Sequence, residues 1–424
     1  MSGPVLRVIA GLVWGLCVGV LGLSAQAGRP PTGGVANPPG SELTIAVMTM
    51  GIGPAVWERF GHNAIVVQDR VRGTSTSYNY GMFSFRQKNF LLRFLQGRMH
   101  YWMAGYPTDA DLPRYVAAQR SVWLQELALT PAERLALRDF LEWNAQAANA
   151  HYRYDYYLDN CSTRVRDAID RILHGAFKAQ MAGPATGDFR FHTRRHNTHD
   201  LALYTGLELI LGPSVDQPAT RWDEMFLPLM LRDYLRESTR PGPDGRPMPL
   251  VREERVLYQN NAWSVPERPP TWWPGYLIAG LLAGGTFLVL GRGARRTAAA
   301  RRGLLFFGVS WSVIVGVLGL VLAGVWAFTD HRVAFRNENI LQLPVLYLGL
   351  AAVLPGALRE RPGLGRAAAW LALAIGAMSL LGLMLKVVPG LDQFNTEILA
   401  LFVPANVGLS LAILRWGRSP TEPG

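Results

Sequence analysis

Hydrophobic positions divide the chain into two regions. Up to about residue 270 the apolar residues form short runs between polar ones, whereas beyond Trp272 they are almost continuous. Five of the later runs are long enough to cross a bilayer, which takes roughly 20 apolar residues. They cover residues 272–290, 304–328, 340–358, 367–385 and 398–414. The pattern predicts an all-α membrane domain of about five transmembrane helices over residues 270–416.

Arginines between the apolar runs indicate how this domain is oriented. They crowd the first loop, the third loop and the C-terminal tail, and the second and fourth loops are poorer in arginine and lysine. The residues concerned are Arg292, Arg295, Arg296, Arg301, Arg302, Arg359, Arg361, Arg366, Arg415 and Arg418. Because cytoplasmic loops carry an excess of basic residues, we expect loops one and three and the tail in the cytoplasm. Loops two and four then lie outside, on the side of the N-terminal region.

The N-terminus predicts that this region is exported. Residues 1–27 form a signal peptide, with Arg7 in the basic segment, an apolar core over residues 8–23 and Ala25-Gln26-Ala27 as the cleavage site. An uncleaved anchor is the alternative, and it exports the following domain equally well. The Gly/Pro-rich stretch 28–40 is typical of a linker. We therefore place an exported domain at residues 41–265.

Within the exported domain the periodicity predicts an α+β fold. Residues 43–50, 63–68 and 76–85 are rich in β-branched and aromatic residues and are predicted strands. Residues 131–148 are predicted as a helix, with Thr130 as N-cap and Pro131 in the first turn. The net charge of +11 does not indicate nucleic-acid binding, since many arginines serve as topology signals between the apolar runs.

Only two cysteines are present, and one of them lies in the signal peptide. Loss of Cys17 on cleavage leaves Cys161 as a lone thiol in an oxidising compartment. Asp159 and Asn160 are good N-cap residues, and apolar residues follow Cys161 at helical spacing. A thiol in the first turn of a helix is favoured as thiolate and can act as a nucleophile. A buried structural cysteine is the alternative.

A cysteine nucleophile needs a base, and six histidines are candidates. They are His62, His100, His151, His192, His196 and His199. His62 lies where a loop meets a predicted strand, so a helix packed on that sheet could place Cys161 beside it; a structural role at the strand end is the alternative. The spacing in HTRRHNTH resembles a metal site, but Arg194 and Arg195 would repel a cation, and we expect no metal.

The second and fourth loops carry polar clusters on the outer side. These contain Asp330, His331, Asn337, Asn339 and Asn395. Helix caps and solvated connections are one interpretation. A polar platform against the exported domain or a lipid head group is the other, because polar groups beside membrane segments are often functional.

Several motifs in this order resemble the Lnb-type lipoprotein N-acyltransferase family. They are FGHNAIVV (60–67), YNYGMFSF (78–85), DNCSTRVRD (159–167), TGLELILG (205–212), Asp216, MFLP (225–228), TDH and NEN (329–339), and DQFN (392–395). The exported half also resembles circularly permuted papain-like enzymes of the lecithin:retinol acyltransferase type. In those enzymes a histidine on an early strand precedes an Asn-Cys pair at a helix start.

The resemblance implies an acyltransferase in the bacterial inner membrane, with its N-terminal domain in the periplasm. Cys161 would carry the acyl chain as a thioester, His62 would be its base, and Asn160 would belong to the catalytic motif. A phospholipid would be the donor and a lipoprotein amine the acceptor, without a cofactor. The orienting group for the imidazole is open among Tyr78, Asn79 and Tyr80. These two tyrosines and the five outer-loop residues are candidates for substrate binding.

Two other functions use the same features. A cysteine hydrolase acting as amidase, peptidase or lipase would share the pairing of Cys161 with His62. A non-catalytic membrane sensor or scaffold would keep Cys161 as a structural residue. The aromatic and basic segment 90–106 could lie on the outer membrane surface and guide acyl chains, or form an ordinary amphipathic core helix.

Overall fold

A computed structural model describes residues 37–417, so the predicted signal peptide with Cys17 and most of the predicted linker lie outside the described residues. Within that range the exported part contains nine strands. They are β1 (Leu43–Met50), β2 (His62–Asp69), β3 (Thr74–Met82), β4 (His100–Pro107), β5 (Val122–Leu127), β6 (His151–Arg153), β7 (Thr239–Pro241), β8 (Pro247–Pro249) and β9 (Val251–Tyr258).

Nine α-helices of the described exported part alternate with these strands or follow them. They are α1 (Phe90–Leu95), α2 (Thr108–Ala117), α3 (Pro131–Asn144), α4 (Cys161–Ile172), α5 (Ala176–Gln180), α6 (Phe189–His196), α7 (Leu201–Ile210), α8 (Arg221–Glu224) and α9 (Pro228–Glu237). The membrane part contains α10 (Trp273–Ala294), α11 (Ala298–Phe328), α12 (Leu346–Ala357), α13 (Leu364–Met384) and α14 (Thr396–Gly417).

Seven strands form one antiparallel sheet in the order β6-β4-β3-β2-β1-β5-β9. Alternate residues of each strand point to opposite faces of this sheet. One face, with Ile65, packs against Val165 of α4 and forms the larger core with α3 and α9. The opposite face, with Ala64, packs against Tyr115 of α2. The predicted α+β class of the exported domain is confirmed.

The first three predicted strands are present with shifted ends. β2 begins at His62 rather than at residue 63, and β3 ends at Met82 rather than at residue 85. Gly81 has a φ of +82°, which residues with side chains rarely adopt, and it interrupts the ladder before Met82. The predicted helix at 131–148 begins as expected with Thr130 capping Glu133, and ends at Asn144.

Segment 90–106 is not one helix, contrary to the helical alternative considered for it. The helix α1 ends after six residues, and Gly97, with a φ of +68°, turns the chain into β4. Tyr106 and its neighbours pair with β3, where aromatic residues fit the pleated surface.

Five helical segments of the described chain are long and apolar enough to span a membrane, which confirms the predicted all-α membrane domain. The third, Glu338–Ala357, differs from the expected continuous helix, because its α-helical part α12 has 12 residues. The backbone before α12 is irregular. The side chain of Asn406 donates to the backbone carbonyl of Gln342 at 3.0 Å, and the side chain of Gln342 donates to the backbone carbonyl of Ser379 at 3.0 Å. Irregular backbone at membrane depth is tolerated where such partners bury it in protein.

The outer ends of the membrane helices are docked on the exported domain. Asp330, which follows α11, pairs with Arg98 at 2.8 Å. Asn339 donates to the carbonyl of Glu208 in α7 at 2.9 Å. In the loop between α13 and α14, Gln393 donates to the carbonyl of Leu211 at 2.9 Å. Loops two and four therefore contact the exported domain, as the arginine pattern predicts for loops on its side.

Candidate active site

The start of α4 presents Cys161 in its first turn, as the sequence predicts. Asn160 caps the helix, and its side-chain oxygen accepts from the N–H groups of Ser162 and Thr163 at 2.8 and 3.0 Å. Its amide nitrogen donates to the carbonyls of Tyr156 and Phe226. Asn160 is thus used entirely in fixing the helix start, and its part in the site is to position Cys161.

The sulfur of Cys161 lies against the beginning of β2. The backbone N–H groups of Asn63 and Ser162 are close enough to lower the pKa of its thiol. On the neighbouring strand, a Cβ on Gly81 would lie 3.4 Å from the Cβ of Cys161. The positive φ of Gly81 explains why β3 has a glycine here.

The imidazole of His62 is held by an amide from β3. Its Nε2 lies 2.9 Å from Oδ1 of Asn79, which selects Asn79 among the three candidates for the orienting group. The amide nitrogen of Asn79 donates to Oδ2 of Asp111 at 3.0 Å and to the carbonyl of Ser77 at 3.2 Å. Because both acceptors face the nitrogen, the amide oxygen must face His62.

This chain of hydrogen bonds sets the tautomer of the base. An amide oxygen only accepts, so Nε2 of His62 carries the hydrogen. In the neutral ring Nδ1 then holds the lone pair and can receive a proton. Asp111 is 2% exposed and completes the support from α2, on the opposite side of Asn79.

Burial favours the neutral forms of both Cys161 and His62. Burial raises the pKa of the Cys161 thiol to about 11, although the N–H groups of Asn63 and Ser162 and the charge of Arg120 act in the other direction. Burial lowers the pKa of His62 to about 4, although the hydrogen bond that its Nε2 donates to Asn79 acts in the other direction. At neutral pH the site therefore holds a thiol and a neutral imidazole, and Cys161 could act as a nucleophile only after giving up its proton.

Tyr78 and Tyr80 flank Asn79 on β3 and therefore point to the opposite face of the sheet. Both are buried in the larger core, where the hydroxyl of Tyr80 donates to Asn144 at 2.8 Å. Neither makes a hydrogen bond to the imidazole, and Cys161 packs against the core cluster to which both belong.

A run of aromatic rings leads from Cys161 to the exposed helix α1. A Cβ on Gly81 would also lie 3.8 Å from the ring of Tyr154. From Tyr154 the ring centroids step 4.4 Å to Tyr101, 5.1 Å to Phe83 and 6.1 Å to Phe90, in α1. We call these four residues the ring run.

Of the five outer-loop residues considered for substrate binding, His331 and Asp330 lie on the side of α1. The other three lie in the docking contacts, by which we mean the hydrogen bonds and ion pairs between the membrane part and the exported domain. His331 lies near the ring run: its Nε2 is 2.9 Å from the carbonyl of Phe94 in α1, and its ring stacks on Tyr156. Asp330 pairs with Arg98, which precedes β4, and with Arg153 of β6.

The three outer-loop asparagines are buried in the docking contacts instead. Asn337 and Asn339 both donate to the carbonyl of Leu209 in α7, at 2.9 and 3.1 Å. Asn395 donates to the side-chain oxygen of Asn339 at 2.8 Å. These contacts account for the asparagines as links between loops two and four and the exported domain.

Two histidines of the HTRRHNTH stretch are used inside the domain. His192 is buried, with its Nε2 2.7 Å from a carboxylate oxygen of Glu224. Nδ1 of His196 lies 2.7 Å from the carbonyl of Arg59. Within residues 37–417, no group of three or more His, Cys, Asp or Glu side chains is arranged to hold a metal ion.

Three residues of the site were not predicted from the sequence: Asp111, Tyr115 and Arg120. The ring of Tyr115 stacks on His62 with a centroid separation of 6.4 Å. Arg120 is buried, and its charge acts on both Cys161 and His62. An acidic residue in the first turn of a short helix is too common a pattern to have identified Asp111.

Comparison with known proteins identifies the exported part. Residues 36–195 match the family model described as the Lnb N-terminal periplasmic domain, and this range contains both His62 and Cys161. Residues 36–195 therefore form an Lnb N-terminal periplasmic domain, which supports the Lnb-type family to which the motifs of this range pointed. No curated protein and no solved structure matches the chain significantly.

Proposed function

We propose that this protein, which carries an Lnb N-terminal periplasmic domain, is an N-acyltransferase of the bacterial inner membrane. Its donor is a phospholipid and its acceptor is the N-terminal amine of a lipoprotein. The observation that carries the proposal is the hydrogen bond of 2.9 Å between His62 and Asn79, because it leaves Nδ1 free to act as base at a site that also holds Cys161.

The reaction has two halves. In the first, Nδ1 of His62 takes the proton from Cys161, the sulfur attacks the ester carbonyl, and the lyso-lipid alcohol leaves with that proton. In the second, the neutral lipoprotein amine attacks the thioester and gives a proton to Nδ1 of His62, the carbon–sulfur bond breaks, and His62 delivers that proton to the sulfur. The backbone N–H groups of Asn63 and Cys161, which lower the pKa of the thiol, favour the negative charge in both halves.

The ring run supports a lipid substrate. It joins Cys161 to α1, where Leu91, Leu92 and Leu95 are 67%, 52% and 57% exposed. The loop that follows the membrane helix α11 holds this segment through His331 and Asp330. An exposed apolar helix held at the outer end of a membrane span is suited to contact with acyl chains. A soluble wall peptide would gain nothing from such a surface.

Trapping of the acyl-enzyme tests the proposal. The full-length protein in vesicles that contain radiolabelled phospholipid should gain a label that hydroxylamine releases and that an acceptor lipopeptide discharges as N-acylated product. Cys161→Ala should gain none, and Cys161→Ser should not transfer acyl chains, because an alcohol lacks thiolate character. Both variants should still insert into the membrane.

Release of free fatty acid without N-acylated peptide would indicate a hydrolase instead. Equal labelling of the wild type and Cys161→Ala would remove the covalent mechanism.

A further inference from the structure

Arg120 is a buried cation at the same end of the sheet as His62. Met50, the last residue of β1, pairs with His62 on one side and with Val122 on the other. Arg120 precedes Val122 by two residues and is 5% exposed. One strand, β1, therefore separates the two residues along the sheet, where neighbouring strands lie about 4.8 Å apart.

The guanidinium of Arg120 is only partly used in local contacts. Its Nε donates to the carbonyl of Gly51 at 2.8 Å, and its Nη1 lies 3.4 Å from a carboxylate oxygen of Glu58. Its Nη2 is buried and has no hydrogen-bond partner within the described residues. A donor left unpartnered on a buried cation calls for an explanation, since nearly all buried polar groups are hydrogen-bonded.

The ring of Tyr115 lies close to both the guanidinium of Arg120 and the imidazole of His62. Its ring lies 5.2 Å from the guanidinium carbon of Arg120 and 6.4 Å from the ring of His62. The positive charge of Arg120 lowers the pKa of Cys161 and also that of His62.

The other titratable neighbours of Cys161 add no positive charge. Tyr115, Tyr152 and Tyr154 interact electrostatically with it, and burial raises the pKa of each of these phenols. They are therefore neutral at physiological pH. Arg114 acts on His62, but it is exposed and lies 3.7 Å from the carboxylate of Asp111.

We propose that Arg120 supplies the positive charge that stabilises the anionic sulfur of Cys161 when the thiol gives up its proton. The inference rests on the proposed nucleophilic role of Cys161 and extends it to a residue on the far side of β1. Arg120 is a positioning residue in this scheme, because it acts through its field.

Alkylation of the thiol by iodoacetamide, followed across a range of pH, tests this role without any lipid substrate. A Cys17→Ser background leaves Cys161 as the sole thiol of the full-length protein. Arg120→Gln should move the alkylation curve to higher pH, and a shift of one unit lowers the rate on the rising limb about tenfold. Arg120→Lys, which keeps the charge, should stay close to the wild type.

Glu58→Gln is a control that should shift the alkylation curve in the opposite direction to Arg120→Gln. It removes the carboxylate that partly neutralises Arg120, so the alkylation curve should move to lower pH. If Arg120→Gln does not fold, Glu58→Gln alone tests the inference. A shift of its alkylation curve to lower pH supports the inference, and an unchanged curve or a shift to higher pH overturns it.

An unchanged curve in Arg120→Gln would overturn the inference and leave Arg120 as a structural link between Gly51 and Glu58. Shifts of Arg120→Gln and Glu58→Gln in the same direction would also overturn it, because they would reflect general disturbance of the site. Failure of acyl trapping with the predicted alkylation shifts intact would instead count against the proposed function.

Discussion

Two buried polar regions of this protein use their charges differently. At the candidate active site, the imidazole of His62 is hydrogen-bonded to the neutral amide of Asn79, and Arg120 keeps one nitrogen without a hydrogen-bond partner among the described residues. In the contact between the exported domain and the membrane helices, Arg194 of α6 pairs with Glu397 of α14. Opposite charges in contact hold two surfaces together, whereas an incompletely neutralised charge can act on a nearby reaction.

The largest effect should follow removal of the base. His62→Ala should slow formation of the thioester by about 10²–10⁴-fold, the usual cost of losing a general base. His192→Ala is the matched control, because His192 is a buried histidine bonded to Glu224 in the core. It should lower thermal stability and label nearly normally. Single-turnover labelling at short times measures both.

A wild-type labelling rate in His62→Ala would show that another residue is the base. His331, near the ring run, would then be the first candidate to replace, followed by His192, His196 and His199.

A smaller effect should follow loss of the group that orients the imidazole. Asn79→Ala should lower the rate on the order of tenfold or more, because misplaced reacting groups lose the advantage of alignment. The acid limb of the pH–rate profile of Asn79→Ala should not move to higher pH. The hydrogen bond to Asn79 raises the pKa of His62, so its loss can only lower that pKa. In the wild type, activity should fall only as the pH approaches about 4, where the base becomes protonated.

The double variant Asn79→Asp/Asp111→Asn sharpens this prediction. It exchanges the amide and the carboxylate, so the hydrogen bonds can persist while a negative charge moves next to His62. The acid limb should then move to higher pH. An unchanged limb would mean that the pH profile does not report His62.

The smallest effect on the chemistry should come from the docking contacts. Glu397→Gln leaves the largely buried Arg194 with only the more distant carboxylate of Glu208, 3.7 Å away, and breaking a buried pair costs up to about 3–5 kcal/mol. We expect a lower Tm and greater sensitivity to protease, with only a few-fold change in the rate of thioester formation. Arg194→Gln/Glu397→Gln should restore part of the stability.

A fall in the labelling rate as large as that of His62→Ala, in a protein that remains folded, would mean that docking controls the chemistry directly. The two regions would then not be separable.

Sequence reasoning found the parts of the site that local patterns encode. Cys161 follows a cap residue and begins an amphipathic helix, and His62 lies where a loop meets a strand, so both were predicted. Asp111 and Arg120 were not predicted. They come near His62 because α2 packs on the sheet and β5 pairs within it, and no local sequence pattern indicates these tertiary contacts. The break before α12 was also missed, since hydropathy does not register the partners that satisfy an irregular backbone.

The raised pKa of Cys161 bears on how long the protein survives in its compartment. At pH 7 a thiol with a pKa of about 11 is ionised to a fraction on the order of 10⁻⁴, compared with about 3% for an ordinary cysteine. Oxidants and stray disulfides react with the ionised form. A resting thiol of this kind should therefore have a long chemical lifetime among periplasmic oxidants, and become reactive only when a substrate and His62 draw off its proton.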